Sequence, residues 1–180
     1  HIDTLPVFKA HDPSPADNSI HSDVQVTLSW TAGDFAASHD VYIGENFEDV
    51  DNGTGDTFKD SVTETSYLVE NLVPGATYYW RIDEVNETEP NSPWKGNVWS
   101  FDIPPKTAYQ PDPADGADSI DVNVELNWTP GFGAKLHTIY FGEDFDDVNN
   151  ATNESDTFRG NQGTTFLVAG FPGFPYPDGL

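Results

Sequence analysis

Apolar residues recur along the chain at every second position, in short runs. Val24, Val26, Leu28 and Trp30 alternate with Gln25, Thr27 and Ser29; Val122, Val124, Leu126 and Trp128 alternate with Asn123, Glu125 and Asn127. A period of two turns one side of each run to a core and the other to water, as in a half-buried strand. The runs His39–Gly44 (HDVYIG) and His137–Gly142 (HTIYFG) read as further strands. The stretch Thr77–Val85 (TYYWRIDEV) places Tyr78, Trp80 and Ile82 on one face and Tyr79, Arg81 and Asp83 on the other. A last strand is expected at Asn97–Ile103 (NVWSFDI). Gly, Pro, Asn and Asp clusters separate these runs, and no segment sustains a 3.6-residue apolar period. The pattern predicts an all-β fold built from antiparallel sandwiches of about seven strands each.

Most of these elements occur twice. Asp12–Thr31 aligns with Gln110–Thr129; Trp30 matches Trp128, so the offset is 128 − 30 = 98. At the same offset Ser38–Asn52 matches Leu136–Asn150. Asp56–Lys59 matches Asp156–Arg159 after a two-residue insertion, and Ser66–Leu72 matches Thr165–Phe171. A repeat of this length holds its own core. The expected units are 1–104, opening with a connector at 1–6, and 105–180, joined at the stiff Pro104-Pro105 pair. Copy one continues through Asn71–Asn86 (NLVPGATYYWRIDEVN) to Ile103, whereas copy two is expected to lack the counterparts of the last two strands. Opening several hundred Å² of apolar interior costs roughly 10 kcal/mol, as much as a whole domain's stability. The missing strands are therefore expected from a longer chain or, alternatively, from a neighbouring molecule by strand complementation. His1–Phe8 aligns with Trp99–Lys106 and is a candidate donor for one strand. The chain begins at His1 and has no Met, so it is expected to be a piece of a longer translation product.

The segment Leu72-x-Pro74-Gly75-x-x-Tyr78, followed by Trp80, Ile82 and Val85-Asn86, resembles the F strand of fibronectin type III domains. Tyr78 stands where that family has its tyrosine-corner residue, and Trp30 and Trp128 where it buries its core tryptophan. More narrowly, TLSWT, SHDVYIGENFEDV, PGATYYWRIDEVN and GNVWSF are similar to type III-like repeats of secreted and surface proteins of planctomycetes and related environmental bacteria. The resemblance implies an immunoglobulin-like sandwich and an extracellular or cell-surface location. It implies little about activity, because the fold serves mostly as a spacer or adhesive module.

Charge narrows the partners. The 31 acidic against 7 basic side chains give a formal net charge of −24, which repels nucleic acid and anionic lipid. No apolar run is long enough for membrane insertion as a helix. Without Cys there is no disulfide or thiolate site. The acidic stretches Gly44–Asp56 and Gly142–Asp156 carry Asp49, Asp51 and Asp56, and Asp144, Asp146, Asp147 and Asp156. Carboxylates at this density suit calcium, which takes six to eight oxygens. EF-hand spacing fails, however, because Gly53 stands where a ligand belongs, and a solvated acidic turn is the alternative. Asn52 and Asn150 are glycosylation sequons at equivalent positions, and Asn86, Asn127 and Asn153 also fit the rule. Trp94 and Tyr79 are not required by the core pattern and could stack on sugars or cover a sheet edge.

Catalytic signatures are missing. Asp83 and Glu84 are adjacent on a strand and point to opposite faces, so they cannot act as a carboxylate pair. His39 and His137 are equivalent, but neither has a metal partner at ligand spacing. The sequence therefore predicts a non-catalytic extracellular repeat module that spaces or builds a surface fibre and contacts adjacent repeats. It requires no cofactor, with calcium and glycans as optional additions. The alternative is an accessory or carbohydrate-binding region of a secreted polysaccharide-degrading enzyme.

Overall fold

The computed structural model describes residues 5–121 and 123–169. The chain separates into two compact units, His1–Pro104 and Pro105–Leu180. In the first unit the described elements are β1 (His11–Ser14), β2 (Ser19–Ile20), β3 (Val26–Thr31), β4 (Ser38–Gly44), α1 (Phe47–Asn52), β5 (Phe58–Val62), β6 (Ser66–Val69), β7 (Thr77–Val85) and β8 (Trp99–Asp102). One sheet runs β1-β3-β6 and the other β2-β8-β7-β4-β5. All pairings are antiparallel except the short β2–β8 contact, which is parallel. Between the sheets lie Leu28, Trp30, Val41, Ile43, Trp80, Ile82 and Phe101, all buried. The alternation read in β3 holds from Val26 onward. Val24 precedes the strand and stays 37% exposed; it contributes its carbonyl, which accepts from Leu72 N at 2.8 Å.

The second unit repeats this plan in part: β9 (Tyr109–Asp112), β10 (Glu125–Thr129), β11 (His137–Tyr140), α2 (Phe145–Asn149), β12 (Phe158–Gln162) and β13 (Phe166–Val168). These form a sheet β13-β10-β9 and a pair β11-β12. Among the described residues no strand takes the places of β7 and β8. Leu126 and Trp128 are consequently only half-buried, while Leu28 and Trp30 are buried. Val122 and the stretch 170–180, which includes part of the aligned Thr165–Phe171 segment, lie outside the described residues, as do residues 1–4 of the candidate donor.

One detail of the repeat is corrected by the strand pairing. Trp30 N bonds to Thr65 O and Trp128 N to Thr165 O, so this hairpin repeats at an offset of 100, not 99. Leu167 pairs with Leu126 and faces inward, as Tyr67 does opposite Leu28. A one-residue slip exchanges the faces of a strand, and matching Leu68-Val69 to Leu167-Val168 introduces that slip.

A second correction concerns the acidic stretches. Each holds a short helix rather than irregular loop alone. The Asn46 side chain caps α1 by accepting from Asp49 N at 3.1 Å, and Asp144 caps α2 by accepting from Asp147 N at 3.0 Å. Acidic residues in the first turns, Glu48 and Asp49 or Asp146 and Asp147, face the positive helix end. Gly53 ends α1 in the left-handed region at φ 68°.

Candidate functional site

The chemistry-bearing residues of the first unit gather on β7. The sequence pattern put Arg81 and Asp83 on the water-facing side of that strand; the structure corrects this, because both faces are covered. Arg81 is 3% and Asp83 6% exposed. The cover comes from α1 and from the segment at Gly96. Arg81 Nη1 donates to the carbonyl oxygens of Val50, at 2.6 Å, and Asp51. These carbonyls close the C-terminal end of α1, where partial negative charge attracts a guanidinium. The Arg81 guanidinium also lies 4.3 Å from the centre of the Tyr42 ring. Asp83 meets Arg81 twice, Nε to Oδ1 at 2.8 Å and Nη2 to Oδ2 at 2.9 Å, and accepts from Gly96 N at 2.9 Å. Burial is the largest influence on Tyr42 and raises its pKa, with the carboxylates of Asp83 and Asp40 pushing the same way.

On the opposite face of β7, Glu84 is fully buried. One oxygen accepts from Gly33 N at 2.9 Å and the other meets His39 Nδ1. His39 is itself buried, with its ring edge-on to Trp30 at 5.4 Å. The expectation that Asp83 and Glu84 point apart therefore holds, and each has its own partner. Sequence reasoning missed both partnerships. The retained signal for one was a histidine at the start of a strand in both copies.

Tyr78 forms the corner that its motif implied. Its hydroxyl oxygen accepts from Val73 N at 3.1 Å, bonding back to backbone a few residues upstream. Burial raises its pKa, and the Val73 hydrogen bond opposes that shift. With three strands packed against five, this corner completes a fibronectin type III-like sandwich in the first unit.

No protein-family model matches the chain. Among solved structures it is similar to a Fn3-like protein from Clostridium thermocellum, at 17% identity over 56% of this chain and 96% of that one, with a TM-score of 0.41. It is also similar to FN3tt, at 21% identity over 52% of this chain and 96% of that one, TM-score 0.33. The FN1-FN3 domains of chicken CNTN1 match at 18% identity over 78% of this chain and 50% of that one, TM-score 0.35. Likeness at these identities concerns the fold alone.

The remaining candidates are dispersed. Asp49 accepts from Thr54 Oγ1 at 2.9 Å, Asp51 pairs with Lys95 Nζ at 2.7 Å, and Asp56 sits at a turn with φ 59°. The Lys95 hydrogen bond is the main reason that the Asp51 pKa falls below its ordinary value. In the second unit Asp146, Asp147, Glu154 and Asp156 line one recess of about 550 Å³, while Asp144 is the helix cap. Among the described residues no three His, Asp or Glu converge as a metal group. Asn52 and Asn150 are equivalent again: each side-chain amide donates at 2.8 Å to a helix carbonyl four residues back. Asn153 is exposed and Asn127 half-buried. Asn86 is tied down, donating to Phe35 O at 2.6 Å and accepting from Thr88. Trp94 stacks on Phe8 at 5.4 Å, and Tyr79 is met edge-on by Phe47 at 5.7 Å.

Proposed function

We propose that the chain is a non-catalytic structural module of an extracellular or cell-surface protein, serving to space or build a surface fibre. The observation that carries this reading is the use made of the reactive side chains. His39, Arg81, Asp83 and Glu84 are all buried and all spent on one another, on backbone or on Tyr42. They fasten β7 to β4, to α1 and to the loop at Gly33. Groups used this way strengthen a sandwich and are closed to a substrate. The likeness to planctomycete surface repeats belongs to this proposal, as do glycans on Asn52 and Asn150 and calcium bridging the acidic surfaces.

Imaging the native assembly tests the reading. Modules spaced regularly along a filament support it. Isolated molecules, or turnover of a polysaccharide by the purified chain, overturn it. A second reading, an accessory region of a polysaccharide-degrading enzyme, draws on the partly exposed aromatic row Phe35, Phe8 and Trp94. Retention on a polysaccharide column that is lost in Phe35→Ala favours that alternative.

A further inference from the structure

Both units contain the same backbone seam. Asp34 N donates to Val7 O in the first, and Phe132 N donates to Pro105 O, at 2.7 Å, in the second. A Cβ on Gly33 would meet Phe8 O, and one on Gly131 would meet Lys106 O at 2.1 Å. The side chains on this common seam differ. Shifted by 98, Phe8 becomes Lys106 and Phe35 becomes Gly133. Phe35 has φ 68° and Gly133 has φ 71°, so one left-handed turn is met by an aromatic in the first unit and by glycine in the second. The other non-glycine residues of positive φ among those described are all Asp, Asn, Gln or Ser. A bulky side chain is disfavoured there, and such strain gathers at sites that use the side chain. Phe35 is 59% exposed, so burial of its ring does not offset the cost of the turn.

Phe35 heads a row. It stacks on Phe8 at 6.0 Å, and Phe8 stacks on Trp94 at 5.4 Å, with planes 29° and 28° apart. Beside Phe8 and Trp94 opens a recess of about 760 Å³, lined also by Lys9, His11, Lys95 and Asn97. Among the described residues no Asp or Glu lines it, although acidic side chains outnumber basic ones 31 to 7 in the chain. Lys9 Nζ donates to Asn97 Oδ1 at 3.3 Å and pairs with no carboxylate among the described residues. Lys95 is shared with Asp51, at 2.7 Å. The backbone of the walls is already in use: Val7 N and O are both bonded to Asp34, and Trp94 N and O are both bonded to Glu84. Neither wall offers a strand edge to an extended peptide.

We propose that the row and its recess bind an acidic saccharide, a short run of pyranose units bearing carboxylates. The apolar faces of the sugar rings would lie against Phe35, Phe8 and Trp94. A carboxylate would meet Lys9 in a charge-assisted hydrogen bond, with the Asn97 amide beside it. Charge complementarity is local: at physiological ionic strength the acidic field of the rest of the surface is screened beyond about 8 Å, so the two lysines set the sign of the recess. The inference rests on the carbohydrate-binding reading of this row and narrows it to an acidic sugar. It does not depend on fibre formation.

The test is calorimetric titration of the full chain with a trimer of galacturonic acid and with the same trimer after reduction of its carboxyl groups. The acidic trimer should bind saturably, and the reduced one about tenfold more weakly, the expected loss for one charge-assisted hydrogen bond. Phe35→Gly should weaken both about tenfold with the thermal transition of the first unit retained, since glycine takes the same φ in the second unit. Lys9→Ala should make the two trimers equivalent. Absence of saturable binding, or binding unchanged in both variants, overturns the proposal. So does a tri-glutamate peptide that binds as tightly as the acidic trimer, or sedimentation showing a dimer that Phe35→Gly dissociates. Equal binding of the two trimers by the unaltered chain overturns the acidic preference and leaves the carbohydrate-binding reading in place.

Discussion

Glu84 and Asp83 are neighbours in sequence with separate partners on opposite faces of one strand, and the cost of losing either follows from burial. Glu84→Ala removes the side-chain acceptor of Gly33 N and the carboxylate partner of the buried His39. We expect a loss of about 3 kcal/mol from the first unit, read from its denaturant midpoint. Asp51 is only partly buried, and its depressed pKa has a smaller meaning. A carboxyl held below its ordinary 3.8 in the fold adds stability above that value, and loses it as pH falls through the folded pKa. Lys95→Ala should return the Asp51 titration, followed by NMR, toward 3.8 with little change in stability at neutral pH. The opposed directions of Asp83 and Glu84 were legible from alternation alone. The burial of Arg81 was not, because its cover comes from a helix some thirty residues away in the chain, and periodicity reports only one strand's own faces.

Among elements, the short helices illustrate what a pattern search overlooks. Five or six residues are too few to show a 3.6-residue period, yet Asn46 and Asp144 are residue types that favour the N-cap position, and the sequence carried both openly. Much of the acidity that suggested calcium is explained locally by these helix starts. Asn46→Ala should cost about 1 kcal/mol and loosen the carbonyls that receive Arg81, measurable as faster amide exchange at Arg81. The strands β3, β4 and β7 were legible because each has one apolar side facing a core. The register of β13 was not, since two chemically reasonable alignments differ by one residue and only pairing with β10 decides between them.

For the chain as a whole, two units with unequal cores imply unequal stabilities. Calorimetry should resolve two transitions, and hydrogen exchange should assign the lower one to the second unit. A hydrophobic dye should bind before the first transition, because Leu126 and Trp128 are half-exposed. A single cooperative transition would count against independent units. The duplication was legible in full order; which side chains fasten β7 to the rest of the first unit became visible only when that strand was seen in place. A seam of a different kind closes the start of the first unit. Asp34 N bonds to Val7 O at 2.5 Å, Val7 N donates to Asp34 Oδ2 at 2.8 Å, and Phe8 is wedged between Phe35 and Trp94; a Cβ on Gly33 would come within 2.3 Å of Phe8 O. Tension applied through Leu5 would load this seam before it reached any sheet, and the seam, like the shackle at the end of a chain link, would be the first part of the unit to give.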